Sequence, residues 1–103
     1  ELLDVRLRDV RALVASNELL AVRRGESNAL AIHRDQLVIE DGQWCPLASL
    51  RGTITALKDA GLNDADALSW LLATSDELDE IPLQALHAGR VHAVRRACQM
   101  LAL

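Results

Sequence analysis

A helical period gives way to a strand period at Asn17, and no other feature of the chain constrains its fold as strongly. Leu7, Val10, Leu13 and Val14 recur at helical spacing, which predicts an amphipathic helix over residues 7–16. Its other face carries Arg8, Arg11, Ala12 and Ala15. Asn17 tolerates positive φ and suits the helix stop. Leu20 to Arg24 then alternates, with Leu20 and Val22 on one face and Ala21 and Arg23 on the other. Gly25-Glu26-Ser27-Asn28 is turn chemistry, and Ala29 to Ile32 returns as the second strand.

The rest of the chain reads as mainly helical. At 103 residues it is long enough for one domain, or a small domain with an appendage. Half the residues are apolar, yet the aromatics are two Trp, with no Phe and no Tyr. The core must therefore come from Leu, Ala, Val and Ile, which favours packed helices. Leu37-Val38-Ile39 is a short apolar run able to pair as a third strand, and Asp41-Gly42 marks a turn before Gln43-Trp44-Cys45. Ser49 reads as the cap of a helix over residues 50–60, with Leu50, Ile54 and Leu57 on one face and Gly61 as its stop. Asn63 caps the next helix, whose first turn holds Asp64 and Asp66 where the helix dipole favours acids. Leu68, Leu71 and Leu72 are its inward stripe. An acidic connection, residues 74–80, leads to Pro82 at the first position of a short helix that ends near Ala88-Gly89. The last helix runs from about Arg90 to Leu101, with Val91, Val94, Cys98 and Leu101 inward. Leu57, Leu68, Leu71, Leu86, Val94 and Cys98 are expected to form one buried cluster, with Trp44 and Trp70 as core anchors.

Charge is segmental. The net formal charge is −4, but residues 1–34 carry +1, residues 35–80 carry −8 and residues 81–103 carry +3. Such a split is compatible with a nucleic-acid-facing end on an acidic body. Arg90, Arg95 and Arg96 form a second basic group, for which solvation of the last helix is the plainer reading. No run approaches the roughly 18 apolar residues of a membrane span, and no signal peptide is visible. Cys45 and Cys98 lie far apart without a CxxC spacing, as expected of reduced thiols in a cytoplasmic protein.

Catalytic and metal motifs are missing. There is no GxSxG, P-loop or GxGxxG, so the sequence gives no support for an enzyme or for a cofactor. His33, His87 and His92 do not form a metal motif, and neither Cys stands at zinc spacing from another ligand. Asp64, Asp66 and the acids at 76–80 lack the spacing and Gly of a calcium loop.

The helix-then-hairpin order is that of a helix-turn-helix with a wing. In such a module the second helix enters the major groove and its N-terminal residues reach base edges. Arg6, Arg8 and Asp9 occupy that end, and Arg11 lies about one turn further on. Arg suits this task because its planar fork matches guanine and phosphate oxygens. Arg23, Arg24, Ser27 and Asn28 place donors on or near the wing, suited to backbone or minor-groove contact. The same spacing also fits an ordinary helix with a solvated Arg face. The fold expected is mainly α with a small β-wing: a winged helix-turn-helix over 1–46 and a C-terminal helical bundle over 47–103 packed on it. Glu1 stands inside what reads as a helix, so the first helix reads as truncated.

The run from Glu1 to Leu37 resembles the winged helix-turn-helix of MerR-like and excisionase-like proteins. Ala56-Leu57-Lys58-Asp59-Ala60-Gly61-Leu62, Trp70-Leu71-Leu72, the run Pro82 to Ala88 and Val94-Arg95-Arg96-Ala97 narrow it. With Leu19 to Arg24, they resemble a small actinobacterial DNA-binding family, a winged helix followed by a helical C-terminal region. That resemblance implies sequence-specific binding of double-stranded DNA, transcription regulation and a nucleoid-associated place in the cytoplasm. It carries the DNA-contacting set to Arg6, Arg8, Asp9, Arg11 and Ala12 on the helix, and to Arg23, Arg24, Ser27 and Asn28 around the wing. It also implies a serine/threonine protein kinase as partner, because one mycobacterial member is such a substrate. The N-terminal extension that would carry the target is not in this sequence, so phosphorylation does not carry over. A homodimer through the helical region is a further expectation. Two positions depart from the pattern. Asp4 stands where such turns usually have Gly, and Arg6 where a Ser or Thr cap is usual.

The C-terminal pattern, Trp-Leu-Leu through Pro-Leu-x-Ala-Leu-x-x-Gly-Arg, also resembles the toxin-binding domain of Xre-type antitoxins. That likeness implies a different class of function: an interaction module whose C-terminal helices bind a partner toxin through an apolar groove.

Overall fold

Asn17 ends a helix as its residue type suggests. In the computed structural model, which describes residues 2–3, 10–24 and 29–101, helix α1 (Val10–Ala15) gives way at Asn17 with φ 63°. The N–H of Glu18 then reaches back to the carbonyl of Leu13 at 2.9 Å, which satisfies an orphan acceptor of the last turn. The chain continues into strand β2 (Ala21–Arg24), which pairs antiparallel with β3 (Ala29–His33), Ala21 opposite Ile32 and Arg24 opposite Ala29. The four residues between the strands lie outside the described residues.

The chain start differs from the helix expected there. Leu2–Leu3 is a two-residue strand, β1, paired antiparallel with β3 so that the sheet order is β1-β3-β2. Leu has good helix propensity, but pairing along a strand edge overrides so weak a local preference.

The expected third strand also moves. A single 3-10 turn, Arg34–Gln36, redirects the chain after β3, and both edges of β3 are already taken. Leu37–Glu40 (β4) therefore pairs with Gln43–Pro46 (β5) as a separate two-stranded sheet. Asp41 and Gly42 both have positive φ, 51° and 77°, which is the geometry of a tight hairpin turn.

Four helices follow: α2 (Leu50–Asp59), α3 (Asp64–Leu72), α4 (Pro82–His87) and α5 (Val91–Met100). Asn63 caps α3 as expected, its Oδ1 accepting from the Asp66 N–H at 2.8 Å, and Pro82 opens α4. Ser49 precedes α2 but its hydroxyl makes no cap, because its backbone is already helical. Its side chain is thus turned away from the N–H groups it would cap.

One core joins the sheet to the helices. Leu19, Leu20, Ile32 and Leu37 are buried in the same cluster as Leu50, Ile54, Leu57, Leu68, Leu71, Leu83, Leu86, Val94 and Cys98. The six residues expected to cluster are all in it, and Trp70 packs half-buried against it. Two side chains expected inward, Trp44 and Leu101, go elsewhere. Trp44 is 39 % exposed and stands opposite Ile39, itself 61 % exposed, on the β4–β5 hairpin. A cross-strand pair of this kind shields its own apolar surface, so no deeper burial is required. Leu101 is exposed because it follows the last turn of α5. The alternation expected in β2 is incomplete, since Leu20 and Ala21 are both buried, with α3 packed on the strand. No helix among the described residues is long and apolar enough to cross a membrane.

Candidate nucleic-acid interface

The two faces of α1 are sorted as its period requires. Val10, Leu13 and Val14 pack half-buried against the core, while Arg11, Ala12 and Ala15 are exposed. Arg11 and Ala12, both expected to face DNA, therefore share the outer surface. Arg23 and Arg24 end β2 and pair through the main chain with Leu30 and Ala29, which puts them at the turn end of the hairpin. Their side chains lie outside the described residues. Arg6, Arg8 and Asp9 lie outside the described residues altogether, as do Ser27 and Asn28. The structure thus relates α1 to the hairpin through Asn17–Leu20, without describing the whole expected set.

Two anchors that the sequence did not reveal fix this arrangement. At the end of α1, Asn17 Nδ2 donates to Thr55 Oγ1 at 3.3 Å, and Lys58 Nζ donates to Asn17 Oδ1 at 3.0 Å. Lys58 also meets Asp64 at 3.2 Å, so one ammonium ties α1, α2 and the start of α3 together. At the start of β2, the Leu20 N–H donates to Gln36 Oε1, and Gln36 Nε2 donates to the Leu20 carbonyl. Gln36 is fully buried. Both anchors join residues far apart in sequence, and only Asn17 carried a local signal.

The second basic group divides. Arg90 is engaged by Glu80: Nε donates to Oε2 at 2.7 Å and Nη2 to Oε1, a bidentate pair. The hydrogen bond from Arg90 holds the Glu80 carboxyl below its usual range. The acidic connection is correspondingly shaped: Ser75 bridges Glu80, and Asp79 has φ 57°. Arg95 and Arg96 are exposed on α5. His87 reaches from α4 to the carbonyl of Asp35, and His33 Nδ1 accepts from the Asp35 N–H at 3.2 Å. Burial pushes the Cys98 thiol up to about 11, and partial desolvation with the nearby Glu40 carboxylate raises that of Cys45. Neither is an activated thiolate.

A family model described as "Rv2175c C-terminal domain of unknown function" matches residues 47–102. The chain belongs to this family. No curated protein and no solved structure matches it. The Rv2175c C-terminal domain begins directly after β5 and holds all of α2 to α5. Thr55, Lys58 and Asp64 lie in it, so the family domain supplies the side chains that grip the end of α1. It also supplies most of the core on which the sheet rests.

Proposed function

We propose that this chain binds double-stranded DNA as a winged helix-turn-helix regulator. Helix α1 lies in the major groove and the β2–β3 hairpin contacts the backbone beside it. The observation that carries this reading is the outward face of α1. Arg11 and Ala12 point away from the core on a helix that leads directly into a hairpin ending in Arg23-Arg24. Arg8 and Arg6 extend the reading set, and Ser27 and Asn28 the wing. The burial of Leu57, Leu68 and Leu71 supports a scaffold role for the family domain over the docking of a toxin.

Titration of a labelled duplex at two salt concentrations tests the proposal. Affinity falls steeply with salt, because cations that neutralise phosphates release counterions. Arg11→Ala relaxes sequence preference, at about 1–3 kcal/mol if the contact is bidentate. Arg24→Ala weakens all sequences about equally, since a phosphate contact carries little sequence information. Absence of binding to any duplex at low salt would overturn the reading.

A further inference from the structure

Arg95 crosses from α5 to lie against the first turn of α2. A Cβ at Gly52 would overlap its guanidinium, so the missing side chain at that position is what lets the arginine settle there. Gly52 is followed by the buried Thr53 and preceded by Arg51, which is exposed. Two arginines from different helices therefore flank one turn. Among the described residues neither is in an ion pair, and the first turn of α2 has no acid. This separates them from Arg90, whose charge is answered by Glu80. A lone surface arginine is ordinary. Two on the same turn of one surface, neither in an ion pair with a described carboxylate, leave positive charge there that favours an anion.

Their position specifies which anion. Arg51, Thr55 and Lys58 stand at i, i+4 and i+7 on one face of α2. Thr55 and Lys58 hold Asn17, so the face that carries Arg51 is the face that abuts the end of α1. Arg51 is one helical turn from Thr55, and Arg11 is six residues before Asn17. Toward the other end of α2 stand Asp59 and Lys58, the latter paired with Asp64 at the start of α3, so that charge is answered while Arg51 has no described carboxylate partner.

We propose that Arg51 and Arg95 form a second phosphate-contacting patch, on the family domain and continuous with the helix that enters the groove. The proposal rests on the DNA-binding reading above. It gives the family domain a direct part in holding the duplex, by gripping the backbone beside the segment that α1 reads. The patch adds affinity and register and carries no sequence information of its own.

The test uses the full chain and a labelled duplex titrated from about 50 to 200 mM salt. Arg51→Gln and Arg95→Gln each reduce the log–log salt slope by about one, and the double variant by about two. The weakening between the two salt concentrations therefore shrinks about fourfold per arginine lost. The loss is the same on preferred and scrambled duplexes. Arg95→Lys keeps the charge and restores the slope, which separates phosphate contact from any packing role of the guanidinium over Gly52. Binding by the unchanged chain with an unaltered slope in Arg51→Gln and Arg95→Gln removes the patch and leaves the α1 reading in place. No binding by the unchanged chain removes both.

Discussion

The carboxamide of Gln36 pairs with the main chain of Leu20 as a neighbouring strand would. Leu20 N–H donates to Oε1 and Nε2 donates to the Leu20 carbonyl, each at 2.8 Å. Both residues are fully buried. The pair sits where the chain enters β2, just before the residues that pair with β3. It therefore joins the hairpin's root to the 3-10 turn that redirects the chain toward β4.

Gln36→Leu should destabilise the fold although leucine is the more apolar residue. It leaves a buried N–H and a buried carbonyl without partners, at about 1–3 kcal/mol each. A loss of about 2–6 kcal/mol is a large part of a domain's stability, about 5–15 kcal/mol. In urea the midpoint should fall with no change in slope. An unchanged midpoint would mean that Leu20 finds other partners once the amide is gone.

Asn17 does two things, and substitution separates them. Asn17→Ala loses the bonds to Thr55 and Lys58 and forces a Cβ residue to hold φ 63°. Asn17→Gly loses the same bonds but adopts that φ freely. Asn17→Gly should be the more stable of the two by about 1–2 kcal/mol. Lys58→Met should also cost less in the Asn17→Gly background than in the unchanged chain, by about 0.5 kcal/mol or more. Thermal melts of the four variants decide. Equal melting of Asn17→Ala and Asn17→Gly would show that the left-handed turn does not limit stability.

The elements legible in the sequence are those set by local chemistry. Asn17, Asp41-Gly42, Asn63 and Pro82 each act through their own backbone or the next turn, and each stands where its residue type places it. The helical stripes of α2, α3 and α5 were legible because a 3.6-residue period records one buried face. Gln36 was not, because a lone polar residue gives no sign of a backbone partner in another segment. Nor was the grip on Asn17, since Thr55 and Lys58 lie 38 and 41 residues away and carry no local signal for it. Trp44 misled because size predicts burial only where something covers the site, and Trp44 pairs with Ile39 on an exposed part of the hairpin. Arg90 read as part of a basic group because its answering Glu80 lies in an acidic run with no fixed spacing to it. Of the candidate site, the outward face of α1 was legible from period alone, and the arginine pair at Gly52 was not, since it depends on how α5 crosses α2.

Cys98 gives the fold a dependence on alkaline pH. Burial is the main cause of its raised value, which moves from 9.0 to about 11. The folded state thus keeps a proton that the unfolded chain has released. The stabilisation is fully present below pH 9 and is lost as pH rises toward 11. Chemical denaturation across that window should show stability falling with pH, and the fall should be shallower in Cys98→Ala. That variant should also be less stable at neutral pH, because it opens a small cavity. Parallel pH profiles for the two proteins would show that the thiol ionises alike in both states.

Leu71 is the position at which scaffold and docking surface part company. It is 0 % exposed, in the cluster shared by the sheet and the family helices. Leu71→Ala removes three buried carbons and leaves a cavity that close-packed neighbours fill only in part. The expected cost is about 2–5 kcal/mol, enough to lower the melting temperature by many degrees in a domain of this size. DNA binding should fall only as the folded fraction falls, and at a temperature where the variant is still folded its affinity should match that of the unchanged chain. The comparison needs two measurements on the same sample, a melt and a duplex titration. A variant that melts normally yet fails to bind a partner protein would place Leu71 on a working surface. The C-terminal helices would then be a docking module, and the DNA-first reading would yield to it.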